Sequence, residues 1–208
     1  MATPAQFDRN GLAEAAAYLA GCDPDLSAIF TRLGPPPLWD RAPGLGTLIH
    51  IILEQQVSLA SARAAYDRLC AAVQPLKPAG ILGLNAAEMK TIGFSRQKAL
   101  YTRELCSALE EGRFVFEALE DMEDEDVRAA LTALKGVGRW TADIYLVMAL
   151  RRRDVFPAGD LALVNALRAV KRLPAGPLSS ACLEEVTNAW RPYRAAAARM
   201  LWQWYLAR

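Results

Sequence analysis

The chain has 208 residues, 53% of them hydrophobic, and a formal net charge of +1, so it can bury a sizeable core and is too apolar for a disordered protein. No run of about 18 uninterrupted apolar residues occurs, so a membrane span is not indicated. With a single histidine, His50, and four scattered cysteines (Cys22, Cys70, Cys106 and Cys182) that form no CxxC spacing, neither a zinc site nor a histidine-based triad is readily assembled.

The N-terminal stretch MATPAQFDRNGLAEA has no basic segment followed by an apolar one and does not resemble a secretory signal. The cysteines are expected to be buried free thiols in a reducing compartment, which points to a cytoplasmic protein. Good helix formers dominate and alternating β-branched runs are missing, so the pattern predicts an all-α protein of about ten helices. A first helix is expected over 11–20. The segment GPPPLWDRAPGLG (34–46) is a connector because of its prolines and glycines. TLIHIILEQQ is a strongly apolar helix in which His50 is a core or edge residue, and Ser58 is the N-cap of a following helix. Helices are then expected near 86–91, 96–111, from Asp124 or Glu125 to Leu134, and over 139–151, 161–173, 179–190 and 192–206. The acidic cluster EALEDMEDED (117–126) is a solvated connecting face.

The small net charge hides an asymmetry. Residues 134–208 carry +7 and the remainder −6, so a nearly neutral chain has one basic end suited to a polyanion. Within that end, Lys135-Gly136-Val137-Gly138 separates two helical patterns by a very short turn. Glycine permits positive φ and close backbone approach, and Val137 can fix the angle between the helices. The helix beginning at Arg139 presents N-terminal amides which, with Lys135 and Arg139, suit a phosphate; on turn chemistry alone a plain helix–helix corner is the simpler reading. Asp160 precedes an apolar stripe of Leu161, Val164, Leu167, Val170 and Leu173, where an N-cap is the simplest role, worth ~1 kcal/mol over Ala.

The segment LKGVGRWTADIYLVMAL followed by DVFPAGD resembles the helix–hairpin–helix DNA glycosylase superfamily, and within it the 3-methyladenine DNA glycosylase II branch, which removes alkylated bases. The matching residues are Gly136, Gly138, Arg139, Trp140, Thr141, Ala142, Asp154, Val155, Phe156 and Asp160. LEQQVSLASA (53–62), IGFSRQKA (92–99) and WRPYRAAAARMLWQWY (190–205) match further family segments in the same order, so the resemblance runs from about residue 40 to the C-terminus. It implies a single glycosylase unit over 1–208 made of two helical lobes, about 44–152 and about 1–43 plus 153–208, with an active-site cleft between them.

The resemblance also implies roles. Asp160 is the catalytic carboxylate, stabilising positive charge on the sugar and orienting water. Lys135, Gly136, Val137, Gly138, Arg139 and Thr141 form the DNA-binding hairpin, and the arginines at 151–153 are expected to hold phosphates. Trp140, Trp202 and Ile144 line the base pocket; Ile144 stands where the family has a pocket tyrosine, and Tyr145 is expected to point elsewhere. Trp190 and Trp204 are expected in the core. Gln55 or Gln56 is the minor-groove wedge that fills the gap left by a flipped base. The position where some relatives carry a Schiff-base lysine is Trp140, which implies a monofunctional enzyme without lyase activity. The family's four C-terminal cluster-binding cysteines are absent. No cofactor is expected and no metal is held by side chains, although the hairpin's backbone carbonyls would suit a monovalent cation. The implied partner is double-stranded DNA bearing alkylated purines of the 3-methyladenine and 7-methylguanine type; hypoxanthine, ethenoadenine and 1-methyladenine stay open. A monomer with no membrane association is expected, nucleoid-associated if the source is bacterial. Two other readings stand beside it: a non-catalytic helix–hairpin–helix DNA-binding protein, and a helical protein-interaction module.

Overall fold

Polar caps and apolar stripes divide the chain into helices almost without interruption. The computed structural model describes residues 5–174, 176 and 178–208; the first four residues of the N-terminal stretch analysed above lie outside them. Twelve α-helices are present among the described residues: α1 (Arg9–Cys22), α2 (Pro24–Leu33), α3 (Leu45–Glu54), α4 (Leu59–Ala72), α5 (Pro78–Gly83), α6 (Ala86–Ile92), α7 (Arg96–Glu110), α8 (Asp124–Thr132), α9 (Arg139–Met148), α10 (Leu161–Val170), α11 (Ser180–Asn188) and α12 (Arg194–Leu206). A 3₁₀ turn, Glu117–Leu119, interrupts the acidic connector. The one β feature among these residues is an isolated bridge between Gln6 and Arg152. The fold is therefore all-α, as the composition predicts.

The starts of the helices follow their caps. Asp8, Asp23, Ser58, Ser95, Asp160 and Ser179 each accept a first-turn backbone N–H. Asn85 and Glu88 form a reciprocal capping box. Each cap is worth ~1 kcal/mol.

The chain divides into two compact units, Arg41–Tyr145 and residues 5–40 with Leu146–Arg208, and the division falls inside α9. In the first unit α3 is the central element. Leu48, Ile49, Ile51, Ile52 and Leu53 are all buried, so more than half of its circumference is apolar core, and α4 and α7 pack on it. In the second unit Ala195–Ala198 of α12 are all buried, with Met200 and Leu201. Small side chains there let α12 pack against α10, α2 and α1. Arg199, fully buried on the same helix, donates to the carbonyls of Leu38 at 2.9 Å and Val147 at 2.7 Å. Burial lowers its pKa to about 10.

The structure departs from expectation at five places. α2 and α5 were not anticipated. α2 is a ten-residue helix with Pro24 at its start; α5 has six residues and likewise begins with a proline, Pro78. α9 ends at Met148 rather than near 151, because Arg151 turns into the left-handed region at φ +52°. The cysteines are free thiols, but only Cys106 is buried; Cys22 is exposed and the other two are half-buried. Burial pushes the Cys106 thiol up to about 12. Trp190 is core, whereas Trp204 is half-exposed and stacks under the Arg208 guanidinium at 4.7 Å.

Candidate active site

The hairpin joins α8 to α9 within the first unit. Gly136 has φ +84°, and a Cβ there would overlap the ring of Tyr101 on α7. Its lack of a side chain is thus demanded by the fold. Gly138 is different: a Cβ there would meet nothing within 4 Å, and it is exposed. Val137 is buried at the turn, and Ala142 N–H bonds Gly138 O at 3.0 Å, which opens α9. The first-turn amides of a helix have no carbonyl one turn back, so α9 offers donors where Gly138 leaves space. Lys135 is exposed. Arg139 is 70% exposed and held only at 3.7 Å by Glu125 and 4.0 Å by Asp143. Contacts that exposed and that long are worth at most ~1 kcal/mol, so Arg139 is available to another anion. Thr141 is buried, as is Ile144, while Trp140 is half-exposed. Tyr145 turns inward, its hydroxyl accepting Gly44 N–H at 2.8 Å. Burial holds Asp143 above the usual carboxylate range, only partly countered by the Arg128 guanidinium 2.6 Å away.

The two glutamines at the end of α3 have different surroundings. Gln55 is half-buried, and its amide donates to Gly136 O at 3.0 Å and to Thr141 Oγ1 at 3.1 Å. Gln56 is exposed with φ +57°, next to Val57 (47% exposed) and Leu59 (63% exposed). Lys98 of α7 supports the same break by donating to Leu53 O at 2.7 Å; burial lowers its pKa. The helix break, the hairpin and the IGFSRQKA segment therefore form one hydrogen-bonded cluster. No local sequence signal predicted these bonds, since the partners are 81, 86 and 45 residues apart.

In the second unit, DVFPAGD is pinned before it turns. Asp154 takes two guanidinium bonds from Arg194, at 2.8 and 3.0 Å, and one from Arg191 at 2.8 Å. Val155 and Phe156 are buried, and Asp160 N–H bonds Pro157 O at 2.9 Å to close a tight turn. Asp160 then caps α10: its Oδ1 accepts Leu163 N–H at 2.8 Å and Trp202 Nε1–H at 3.2 Å. Trp202, buried on α12, is thus bonded directly to the carboxylate, a link invisible across 42 residues of sequence. The capping expected for Asp160 is present, and the carboxylate has a fixed orientation.

The arginines at 151–153 are where the sequence reading needs correction. Arg152 is only 1% exposed. Arg151 bonds the Gln6 side chain at 3.2 Å, and Arg153 lies 5.3 and 4.9 Å over the rings of Phe7 and Tyr193. These side chains organise the second unit instead of presenting a phosphate-binding row. A run of charge in sequence does not disclose that its side chains fold inward. His50 stacks on Tyr66 at 4.5 Å beside Glu54, and burial lowers its pKa. Among the described residues, no three His, Cys, Asp or Glu side chains come together to hold a metal ion. No helix among them is long and apolar enough to cross a membrane.

Residues 49–192, more than half of the chain, match the HhH-GPD superfamily of base excision DNA repair proteins. The chain belongs to the HhH-GPD superfamily. This HhH-GPD protein is 29% identical to DNA-3-methyladenine glycosylase 1 of Schizosaccharomyces pombe over 92% of its own length and 87% of the relative's. It is also 29% identical to the Bacillus subtilis protein YfjP over 86% of its length, spanning 64% of that relative. Among solved HhH-GPD structures, the Schizosaccharomyces pombe 3-methyladenine DNA glycosylase in complex with abasic DNA superposes with a TM-score of 0.83 at 28% identity, covering 91% of this chain and 95% of that one. A Bacillus halodurans DNA-3-methyladenine glycosidase superposes at 0.77 and 29% identity, covering 92% and 88%.

Proposed function

We propose that this HhH-GPD protein is a monofunctional DNA glycosylase that hydrolyses the N-glycosidic bond of alkylated purines. The observation that carries the reading is the oriented carboxylate of Asp160, capping Leu163 N–H and bonded to Trp202, within the stretch 49–192 that matches the family. The names of the relatives, DNA-3-methyladenine glycosylases, support the choice of substrate class.

Each unit has its own task in this reading. The first unit holds duplex DNA: buried Val137 fixes the turn, its N–H donating to Leu134 O at 3.1 Å, Gly136 and Gly138 let a phosphate approach the first-turn amides of α9, and Lys135 and Arg139 add charge. Thr141 acts behind the turn, through Gln55. Gln56, on its positive-φ backbone at the exposed break, is the wedge for the vacated base-pair space; Gln55 keeps the hairpin in place. Trp140 offers an indole face to the everted base, where attraction to a cationic purine is worth ~0.5–2 kcal/mol, and Ile144 is its apolar neighbour one helical turn on. The second unit does the chemistry. As the bond between C1′ and the base breaks, its electron pair goes to the base and quenches the alkylated purine's positive charge. Asp160 stabilises the positive charge left on the sugar. Water then bonds C1′ and releases one proton to solvent, leaving an abasic site and a neutral free base. Trp202 positions Asp160. No lysine stands at residue 140 to form a Schiff base, so the strand is left intact. A monovalent cation on the hairpin belongs to the same proposal. Gly136 O already accepts the Gln55 amide, so other hairpin carbonyls would hold it, and no step passes through it.

The test is incubation of the protein with duplex DNA treated with a methylating agent. Release of 3-methyladenine or 7-methylguanine without strand scission is expected. Salt-sensitive DNA binding with no released base would favour the non-catalytic alternative.

A further inference from the structure

The C-terminal ends of α10 and α12 line one surface basin of about 520 Å³ in the second unit, away from the Asp160 end of α10. Its polar lining is Asn165, Arg168, Arg172, Tyr205 and Arg208. Three guanidinium groups face one concavity, and among the described residues none of the three is ion-paired with a carboxylate. Arg168 is partly anchored, donating to Asn165 Oδ1 at 3.1 Å and Gly176 O at 2.5 Å, while its buried Nε has no partner among the described residues. Arg172 is exposed on a backbone at φ +52°. Arg208 lies 4.7 Å over the Trp204 ring and 5.8 Å over Tyr205. A neighbouring recess of about 220 Å³ shares Arg172 and adds Arg32 and Trp204. The one acid there, Asp25, is paired with Lys171 at 3.0 Å.

Two helix C-termini contribute roughly −0.5 charge each to this place, less than the three arginines supply. The basin keeps a positive excess. Guanidinium forks match phosphate oxygens, and aromatic faces beside arginines accept bases or sugars. We propose that the basin is a second phosphate site, distinct from the hairpin, that takes the sugar–phosphate backbone of nucleic acid. This rests on the reading of the chain as a DNA-acting protein. It also accounts for basic residues at the C-terminal end that neither the hairpin nor the internal ion pairs use.

The competing role is complementing the helix ends alone, and it has a different signature. The Arg172→Gln/Arg208→Gln variant tests it, because neither guanidinium makes a hydrogen bond within the described structure. The full-length wild type and variant are titrated onto fluorescently labelled undamaged duplex and single-stranded DNA across a series of KCl concentrations. Their thermal midpoints are recorded in parallel, with and without inorganic pyrophosphate. Each lost phosphate contact lowers the slope of log K against log[salt] by about 0.9 on duplex, so a slope shallower by about 1–2 and weaker low-salt binding are expected, with an unchanged midpoint. Identical slopes and affinities overturn the proposal, as does a lowered midpoint with unchanged binding. So does a pyrophosphate-induced rise in midpoint, confined to the wild type, with unchanged DNA slopes; the ligand would then be a small phosphate. If the slope difference is found but the wild type releases no base, the basin stands and the glycosylase reading falls.

Discussion

Gly136 and Gly138 sit two residues apart and answer different demands. Gly136 has its positive φ and the Tyr101 ring against it, so Gly136→Ala is expected to destabilise the fold by about 1–3 kcal/mol. Gly138 has open space, and Gly138→Ala should leave the thermal midpoint nearly unchanged while weakening duplex binding several-fold. Denaturation and binding curves on the same two variants check this; equal loss of stability in both would contradict it. The sequence showed both glycines but could not show which one serves the fold, because Tyr101 is distant in the chain. The same limit applied to Gln55 and Gln56. Two adjacent glutamines look alike in sequence, yet one bonds Gly136 and Thr141 and the other stands outside on a left-handed backbone. Trp202→Phe keeps a ring while removing the bond to Asp160; hydrogen bonds to charged groups are worth about 1.5–3 kcal/mol. Base release should then slow by roughly tenfold or more, measured in single turnover. An unchanged rate would remove Trp202 from the positioning of the carboxylate.

Helices were legible where their caps and stripes agreed, as at Ser58–Ala72 and Asp160–Val170. α2 carried usable signals, Asp23 as cap, Pro24 at its start and Gly34 at its end, within a segment that reads first as proline-rich connector. What no pattern disclosed is how α2 is tied down. Asp23 accepts Lys171 Nζ at 2.6 Å and Trp190 Nε1 at 2.8 Å while capping α2. Burial raises the Asp23 pKa, but those bonds more than reverse it, and the net shift is downward. Burial lowers Lys171, and its bonds to Asp23 and Asp25 more than reverse that, so its net shift is upward. The sign follows directly. Asp23 contributes stability above its ordinary value of 3.8, lost as pH falls through the lowered one; Lys171 contributes below its ordinary value of 10.5, lost as pH rises through the raised one. Lys171→Met is expected to cost about 2 kcal/mol at neutral pH, or roughly 4–8 °C in Tm, and to flatten the acid side of the stability curve below pH 3.8. A Tm profile parallel to that of the wild type down to pH 2–3 would show that the pair carries none of this dependence.

For the whole molecule, the +7 of residues 134–208 marks a basic end, but part of that charge is buried or ion-paired. Arg152 and Arg199 are buried, and Arg191, Arg194 and Lys171 are engaged by Asp154 and Asp23. Net charge thus overstated the basic surface available to a polyanion. Family membership and the all-helical fold were legible because four ordered segments share their spacing with the superfamily; the internal wiring that orients the candidate site was not, because it is made of long-range bonds. The central claim, that the Asp160 carboxylate stabilises the charged sugar, is tested most directly with Asp160→Asn. The amide keeps the size and can still accept Leu163 N–H, so stability and duplex binding should change little. Release of 3-methyladenine and 7-methylguanine from methylated duplex should fall by at least about a hundredfold in single turnover. Release at the wild-type rate from a folded, DNA-bound Asp160→Asn protein would contradict the account.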